Sequence, residues 1–349
     1  MAAAAFEHIP IVDVGGLTNG DRPSPELAEE LCSVGHEVGF MLVVGHGVPE
    51  RLHDATYDMM RRFFSLPVEQ KGLIDKRASR HFRGWEPVGT EYTNNRPDIR
   101  EQIDCWSEWP ASAPDAEPEY LRLLGPNQWL PDDVLAGHEA LSNEWSGQLG
   151  VLAGRLLAAM WQGLGLPAAD LDRFIGDRPM SLTKFIHYPA TPPGGAGVNA
   201  HHDTGFLTVL SPGSSPGLQV QNQAGDWIDV PLLPGSFVVN LGESLQAMTG
   251  NYLVATPHRV MSSTERYSTA HFYGPSLEAP LAPLPLEGRF VAAVAASPHH
   301  ADAGFMARKE ETDAGVGDMA SDYRPATYGE QLWNYFARSY PEIVAHHYG

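Results

Sequence analysis

The stretch Ala200-His201-His202-Asp203-Thr204-Gly205-Phe206-Leu207-Thr208-Val209-Leu210 opens on metal-ligating side chains and closes on a β-prone run. Its second half predicts a strand, because alternating apolar and Thr positions suit a half-buried pleated surface. In an extended chain residues i and i+2 point to one face. On that reading His201 and Asp203 stand side by side and His202 turns away. An imidazole beside a carboxylate offers a metal one neutral and one anionic ligand. Alone the pair is weakly specific, since the chain holds 15 histidines. A surface histidine near a turn is the competing reading.

Around this stretch short segments alternate with turn-rich breaks. Runs over 181–187, 206–210, 218–221, 227–230, 236–240, 259–261 and 268–273 predict strands, separated by breaks at 192–197, 211–217 and 232–235. Many short strands at regular turn spacing argue for a sandwich or barrel, of which a double-sheet jelly roll is one solution.

Upstream, Ile9-Pro-Ile-Val-Asp-Val predicts a strand, 25–38 a helix, 39–45 a buried strand and 50–64 a second helix stopped near Pro67. Residues 77–131 read as loops and short strands, a lid or pocket wall. Leu141, Trp145, Leu149, Leu152, Leu156, Met160 and Leu164 form one helical stripe. Residues 312–322 look like a mobile surface segment, and 328–340 like a final helix ended by Pro341. The expected class is mostly β with flanking helices around a double-stranded β-helix (jelly-roll) core. An N-terminal region, 1–135, would pack on a core domain, 136–349, as one integrated unit.

With 43% hydrophobic and 19% charged residues over 349 positions, the chain has globular composition. Its 23 Lys+Arg against 43 Asp+Glu give a net charge of −20, which disfavours nucleic acid or an anionic membrane surface as partner. The two cysteines, Cys32 and Cys105, make no disulfide framework. No signal-peptide pattern opens the chain, and no run approaches the roughly 20 apolar residues that span a bilayer. A soluble, cytoplasmic protein acting on a small molecule is the expectation, with oligomeric state open.

A third ligand lies 55 residues beyond Asp203, at His258 in Thr256-Pro-His-Arg-Val. Two histidines and one carboxylate on one side of Fe(II) leave open positions for cosubstrate and O2. Eight residues further stands Arg266, followed by Tyr267 and Ser268. On a strand Arg266 and Ser268 share a face, a fork plus a hydroxyl suited to a carboxylate. An ion pair with a nearby Asp or Glu is the alternative for Arg266.

These motifs, HxDxGxLTVL from His201, GLQVQ from Gly217, GDWIDVPLLPGSFVVNLGESLQAMTGN from Gly225, then HRV and RYS, resemble the Fe(II)/2-oxoglutarate oxygenases of the isopenicillin N synthase-like group. IPIVDV, VGFMLVVGHGVP and FFSLPVEQK in the first third resemble that group's N-terminal region, and TYGEQL with SYPE resembles ethylene-forming-enzyme-like bacterial members. The resemblance implies that His201, Asp203 and His258 ligate the iron. It implies that Arg266 and Ser268 bind the distal carboxylate of 2-oxoglutarate, with Tyr188 also reaching that cosubstrate. By the same resemblance Asn240 would fall beside the iron without ligating it.

The chain departs from the family's Asn-Tyr-Tyr-Pro element at Ile186 and His187, which puts the local cosubstrate contacts in doubt. Asp203, where a halogenase needs Gly or Ala, argues against that chemistry. The implied activity is oxidation of a small-molecule C–H bond, hydroxylation first and desaturation or cyclisation otherwise, with release of succinate and CO2. Two readings compete: an isopenicillin N synthase-type oxidase that needs no 2-oxoglutarate, and a non-catalytic small-molecule binding protein on the same barrel.

Other features carry less. His299-His300 and His346-His347 read as solvated loop and tail histidines, and Gly45-His46-Gly47 as a structural turn. Phe82, Arg83, Trp85, Tyr92, Arg96 and Arg100 fit a substrate mouth or ordinary loop packing equally well. Glu243 and Gln246 carry no assignment.

Overall fold

The computed structural model describes residues 5–18, 23–93, 96–191, 195–213, 215–297, 300 and 326–349. Its strands are, in chain order, β1 Ile11–Asp13, β2 Phe40–Val44, β3 Gly84–Glu86, β4 Tyr92–Thr93, β5 Arg96–Pro97, β6 Glu101–Trp106 and β7 Leu182–Tyr188. They continue with β8 Ala196–His201, β9 Leu207–Ser211, β10 Leu218–Gln221, β11 Trp227–Asp229, β12 Phe237–Leu241, β13 His258–Met261 and β14 Arg266–Tyr273. Eight of them form a major sheet in the order β1-β2-β12-β9-β14-β7-β6-β3, and four a minor sheet, β11-β10-β13-β8.

The inner faces of both sheets meet in an apolar layer that includes Phe40, Leu42, Ile186, Val198, Val220, Val238 and Val260. This is the jelly-roll core. Alternation along β14 sets which residues enter it: Arg266, Ser268 and Ala270 point inward in register with Tyr188, Ile186 and Lys184 of β7.

The outer face of the major sheet is covered by helices. The stripe predicted from sequence lies on His138–Gly163, with Trp145, Leu149, Leu152, Leu156 and Met160 buried. The Trp145 indole also donates to Thr269 Oγ1 at 3.0 Å, so the helix is fixed to the sheet by direction as well as by burial. The helix Pro25–Glu37 begins where Ser24 Oγ accepts from the Leu27 amide at 3.2 Å, with proline in its first turn. Strand β1 pairs in parallel with β2, and β2 pairs with β12. The first 135 residues therefore contribute strands to the same sheet as the rest.

Three expectations change and one sharpens. Within the stretch read as loops and short strands, residues 101–106 form the fully buried strand β6 beside β7. Its polar Gln102 and Asp104 disguised it, because they point into a buried charge network rather than to water. The break at 192–197 ends earlier than expected, since β8 begins at Ala196. The helix Tyr328–Ser339 does end at the approach to Pro341, but it is not the final one: Pro341 opens a further helix to His347, where its missing N–H costs nothing. Finally, His300 is buried and bonded to the His36 carbonyl at 2.6 Å, not solvated. His299 and the 312–322 segment lie outside the described residues. Among the described residues no helix is long and apolar enough to cross a membrane.

Candidate active site

His201, Asp203 and His258 come together at one end of the barrel, each offering a ligand atom within 4.8 Å of the others. They do not meet by the route the sequence suggested. His201 is the last residue of β8, and Asp203 lies in the loop beyond it, not on the same strand. The two histidines are juxtaposed by strand pairing instead, His258 opening β13 directly opposite His201. The loop then folds Asp203 back, leaving Oδ1 3.6 Å from Nε2 of each imidazole.

The surrounding hydrogen bonds aim the ligand atoms. His201 Nδ1 lies 2.8 Å from the Asn199 carbonyl, and His258 Nδ1 lies 3.2 Å from that of Thr256. A carbonyl only accepts, so Nδ1 carries the proton and each Nε2 lone pair faces inward. Thr208 Oγ1 at 2.5 Å and Asn240 Nδ2 at 2.7 Å both donate to Asp203 Oδ2, which leaves Oδ1 free to serve as a ligand.

Charge follows the same plan. Burial opposes ionisation of Asp203, but His258, His201 and the two donors outweigh it and hold the carboxyl below its usual range. Burial holds His258 down at about 4, with His201 adding to the effect, so its imidazole is neutral. Two neutral nitrogens and one anionic oxygen, converging from one side, form a donor set that fits Fe(II) with positions left open.

The ligand loop is braced from two sides. The Glu243 amide donates to the Asp203 carbonyl at 2.8 Å and the Ser244 amide to that of Gly205 at 3.1 Å. From the helix Tyr328–Ser339, Gln331 Nε2 donates to the Thr204 carbonyl at 3.0 Å, while its Oε1 accepts from Ser244 Oγ at 2.7 Å. Gly242 lies so close that a Cβ there would sit 2.3 Å from Gly205 O and 3.0 Å from Asp203 O. Gly242→Ala is therefore expected to displace the loop and lower Fe(II) affinity by about tenfold or more, comparable to losing a group that orients a ligand. Anaerobic iron titration of the variant checks this.

Deeper in the barrel Arg266 is buried, and no Asp or Glu among the described residues pairs with it. Its Nη1 donates to Ser268 Oγ at 3.1 Å and its Nε to the Ser215 carbonyl at 3.3 Å. The guanidinium lies 5.0 Å over the Tyr188 ring. Nη2 is buried and has no hydrogen-bond partner among the described residues. A buried cation with an unused donor beside a hydroxyl has the chemistry to take a carboxylate.

The remaining candidates separate. Ile186 belongs to the apolar inner layer, whereas His187 points outward to Glu101 at 2.9 Å and Glu265 at 3.0 Å. Phe82, Arg83 and Trp85 are buried packing, while Tyr92 and Arg96 are exposed. Arg100 pairs with Glu91 at 2.6 Å and Asp98 at 3.1 Å. A cavity of about 950 Å³ lined by His46, His53 and Phe237 contains none of the three ligands, and its lining lies at the far ends of β9 and β12. Thr208 was missed in the sequence: a threonine inside a strand carries no signal until its partner is known.

Comparison with known proteins identifies the family. Residues 9–132 match the family model described as non-haem dioxygenase in morphine synthesis N-terminal, and residues 179–275 match that of the 2OG-Fe(II) oxygenase superfamily. The 2-oxoglutarate-dependent dioxygenase frbJ of Dothideomycetidae sp. is 33% identical over 79% of this chain and 76% of its own. The homoarginine-6-hydroxylase 2-ODD-C23 of Glycine max is 30% identical over 81% of this chain and 90% of its own. In fold, the chain resembles the dioxygenase for auxin oxidation in rice, at TM-score 0.62 and 26% identity, covering 81% of this chain and 89% of that one. These relatives support the 2-oxoglutarate reading, not an oxidase without it or a non-catalytic barrel. The chain belongs to the 2OG-Fe(II) oxygenase superfamily: it is a 2-oxoglutarate-dependent dioxygenase whose cofactors are Fe(II), 2-oxoglutarate and O2.

Proposed function

We propose that His201, Asp203 and His258 hold the iron, that Arg266 and Ser268 bind the distal carboxylate of 2-oxoglutarate against Tyr188, and that the reaction is hydroxylation of a small molecule. The observation that carries this reading is the unpartnered Nη2 of buried Arg266 on the same barrel interior as the three converging ligands. Bound Fe(II) supplies the redox chemistry by which O2 and 2-oxoglutarate oxidise a substrate C–H bond, with succinate and CO2 released.

The chain's own part is placement and electrostatics. Asn240 and Thr208 keep Asp203 anionic and aimed. The Asn199 and Thr256 carbonyls keep both imidazoles in the ligating tautomer. The Arg266 guanidinium neutralises one carboxylate of the cosubstrate in a dry site, where such a bond is stronger than in water.

The quoted motifs support placement in the isopenicillin N synthase-like branch. Two free, buried cysteines, Cys32 and Cys105, support a reducing, intracellular setting. The charge of −20 supports small molecules over nucleic acid or membrane as partners. Strands shared between the 1–135 and 136–349 regions support one integrated unit.

Anaerobic titration with Fe(II) and then 2-oxoglutarate tests the assignment. One metal and one cosubstrate per chain are expected, followed on admitting air by O2-dependent succinate. Iron binding that leaves 2-oxoglutarate unbound would sink the cosubstrate site and spare the metal site.

A further inference from the structure

The inner face of the major sheet continues past the 2-oxoglutarate residues. Ser268 stands in register with Ile186, and Ile186 with Gln102 of β6. Paired residues of neighbouring strands point to the same side. Gln102 therefore shares the face that carries Arg266 and Ser268. The chain just before it runs along the other sheet: the Ile99 amide donates to the Gly197 carbonyl at 3.1 Å, and Asp98 Oδ1 accepts from Asn199 Nδ2 at 3.3 Å. Gly197 and Asn199 belong to β8, which ends on His201. Residues 98–102 thus close the seam between the two sheets beside the metal ligands.

A buried carboxylate organises that seam. Glu91 Oε2 accepts from Arg100 Nη2 at 2.6 Å and from Gln102 Nε2 at 2.6 Å, while Lys184 Nζ lies 3.2 Å from Oε1. Gln102 Nε2 also lies 3.1 Å from Glu86 Oε2, so the amide orientation is set: nitrogen toward the carboxylates, oxygen away from them. Arg100 Nη2 is fixed further by Asp98 at 3.1 Å.

Two atoms remain unused. Arg100 Nε and Gln102 Oε1 are buried and have no hydrogen-bond partner among the described residues. Gln102 is 1% exposed and the Arg100 side chain 10%, so solvent does not satisfy either. One is a charge-assisted donor and the other a neutral acceptor, held by the same carboxylate. Leaving such a pair unmatched is costly, and a site built this way rejects ligands that cannot match it.

We infer that Arg100 and Gln102 form the subsite for the polar end of the substrate, Arg100 Nε donating to a carbonyl or carboxylate oxygen and Gln102 Oε1 accepting from an N–H beside it. The inference rests on the proposed oxidation at His201, Asp203 and His258. Its chemistry is an oxygen acceptor adjoining an N–H, which an α-amino-acid head group and the amide edge of a cyclic imide both offer. An apolar substrate without such a group would leave both atoms stranded.

The test uses the iron-loaded full chain with saturating 2-oxoglutarate, scored by substrate-stimulated succinate release. One arm contains α-amino acids with their decarboxylated amines. A second contains pyrimidine-type cyclic imides with their N-methyl derivatives, and a third contains hydrocarbon-like terpenoids. At least one compound of the first two arms is expected to accelerate succinate release. Its decarboxylated or N-methylated partner should lose about tenfold or more in kcat/KM, which also tells the two sources apart.

Arg100→Lys keeps a cation for Glu91 and Asp98 but removes the Nε–H; Gln102→Met keeps the volume and removes the acceptor together with the Nε2 donor to Glu91 and Glu86, a loss that thermal melting of the variant reads separately. Each is expected to raise KM for the responding compound about tenfold, more than it lowers kcat, with anaerobic 2-oxoglutarate affinity as the internal control. If one variant fails to fold, the other and the wild-type analogue series still decide. A response from terpenoids alone, no response from either polar arm, or wild-type KM in both variants overturns the subsite, and the two atoms then serve a buried water. Intact 2-oxoglutarate binding alongside that result leaves the metal and cosubstrate assignment standing.

Discussion

His258→Ala is expected to purify folded, to bind far less than one iron per chain and to lose succinate formation by about 10³-fold or more. Groups that merely orient a ligand cost about 10–100-fold in metal affinity or activity when removed, so loss of a ligand itself must exceed that. The ligand set is small, with three atoms within 4.8 Å, and His258 Nε2 is one of the two nitrogens beside Asp203 Oδ1. Alanine should be tolerated structurally. The β13 backbone keeps its pairing with β8 and β10, and the side chain makes one hydrogen bond, to its own strand's approach at Thr256. Iron content per chain and thermal melting, measured on the same preparation, separate loss of metal from loss of fold. Retention of equimolar iron together with wild-type turnover would mean that the ligands lie elsewhere.

Much of this centre was legible in the sequence, and the reasons are local. Arg266 and Ser268 sit two apart on one strand, so period-2 geometry alone put them on one face, and they are hydrogen-bonded at 3.1 Å. The same rule applied to His201 and Asp203 named two residues that the structure does bring together, but by another route. It assumed an unbroken strand, whereas β8 stops at His201 and strand pairing brings in His258. Pairing across 57 residues is a tertiary fact that no local pattern encodes.

Strand β6 shows the opposite failure. The stretch that holds it read as loops and short strands of weak periodicity, yet Glu101 and Asp104 are buried because Lys71, Lys76 and Lys184 meet them at 2.7–3.0 Å, and Gln102 because it donates to Glu86 and Glu91. Buried polar residues look like surface until their partners are seen. For Arg100 the sequence left a substrate mouth and simple packing open. The structure pairs its Nη2 as packing would and leaves its Nε without a partner among the described residues.

Arg266→Ala should give the second large effect, and a different one: iron stays bound while the apparent KM for 2-oxoglutarate rises about 100-fold or more. Hydrogen bonds to a charged group contribute about 1.5–3 kcal/mol each, and each 1.4 kcal/mol is tenfold, so one or two such bonds account for that factor. The guanidinium has no acidic partner among the described residues, so its removal strands no buried carboxylate in the empty protein. What the protein loses is a bond to Ser268, a bond to the Ser215 carbonyl and the stacking over Tyr188, all local to the cosubstrate end of the barrel.

The cosubstrate itself supplies the sharper measurement. A 2-oxo acid lacking the distal carboxylate cannot use Arg266, so wild type should prefer 2-oxoglutarate over 2-oxobutyrate by a wide margin. In Arg266→Ala that preference should shrink toward unity, because only the longer acid loses a partner. Arg266→Lys, which keeps the charge without the planar fork, should fall between the two. An unchanged preference in the alanine variant would place the distal carboxylate elsewhere in the barrel, leaving the His201, Asp203 and His258 assignment untouched.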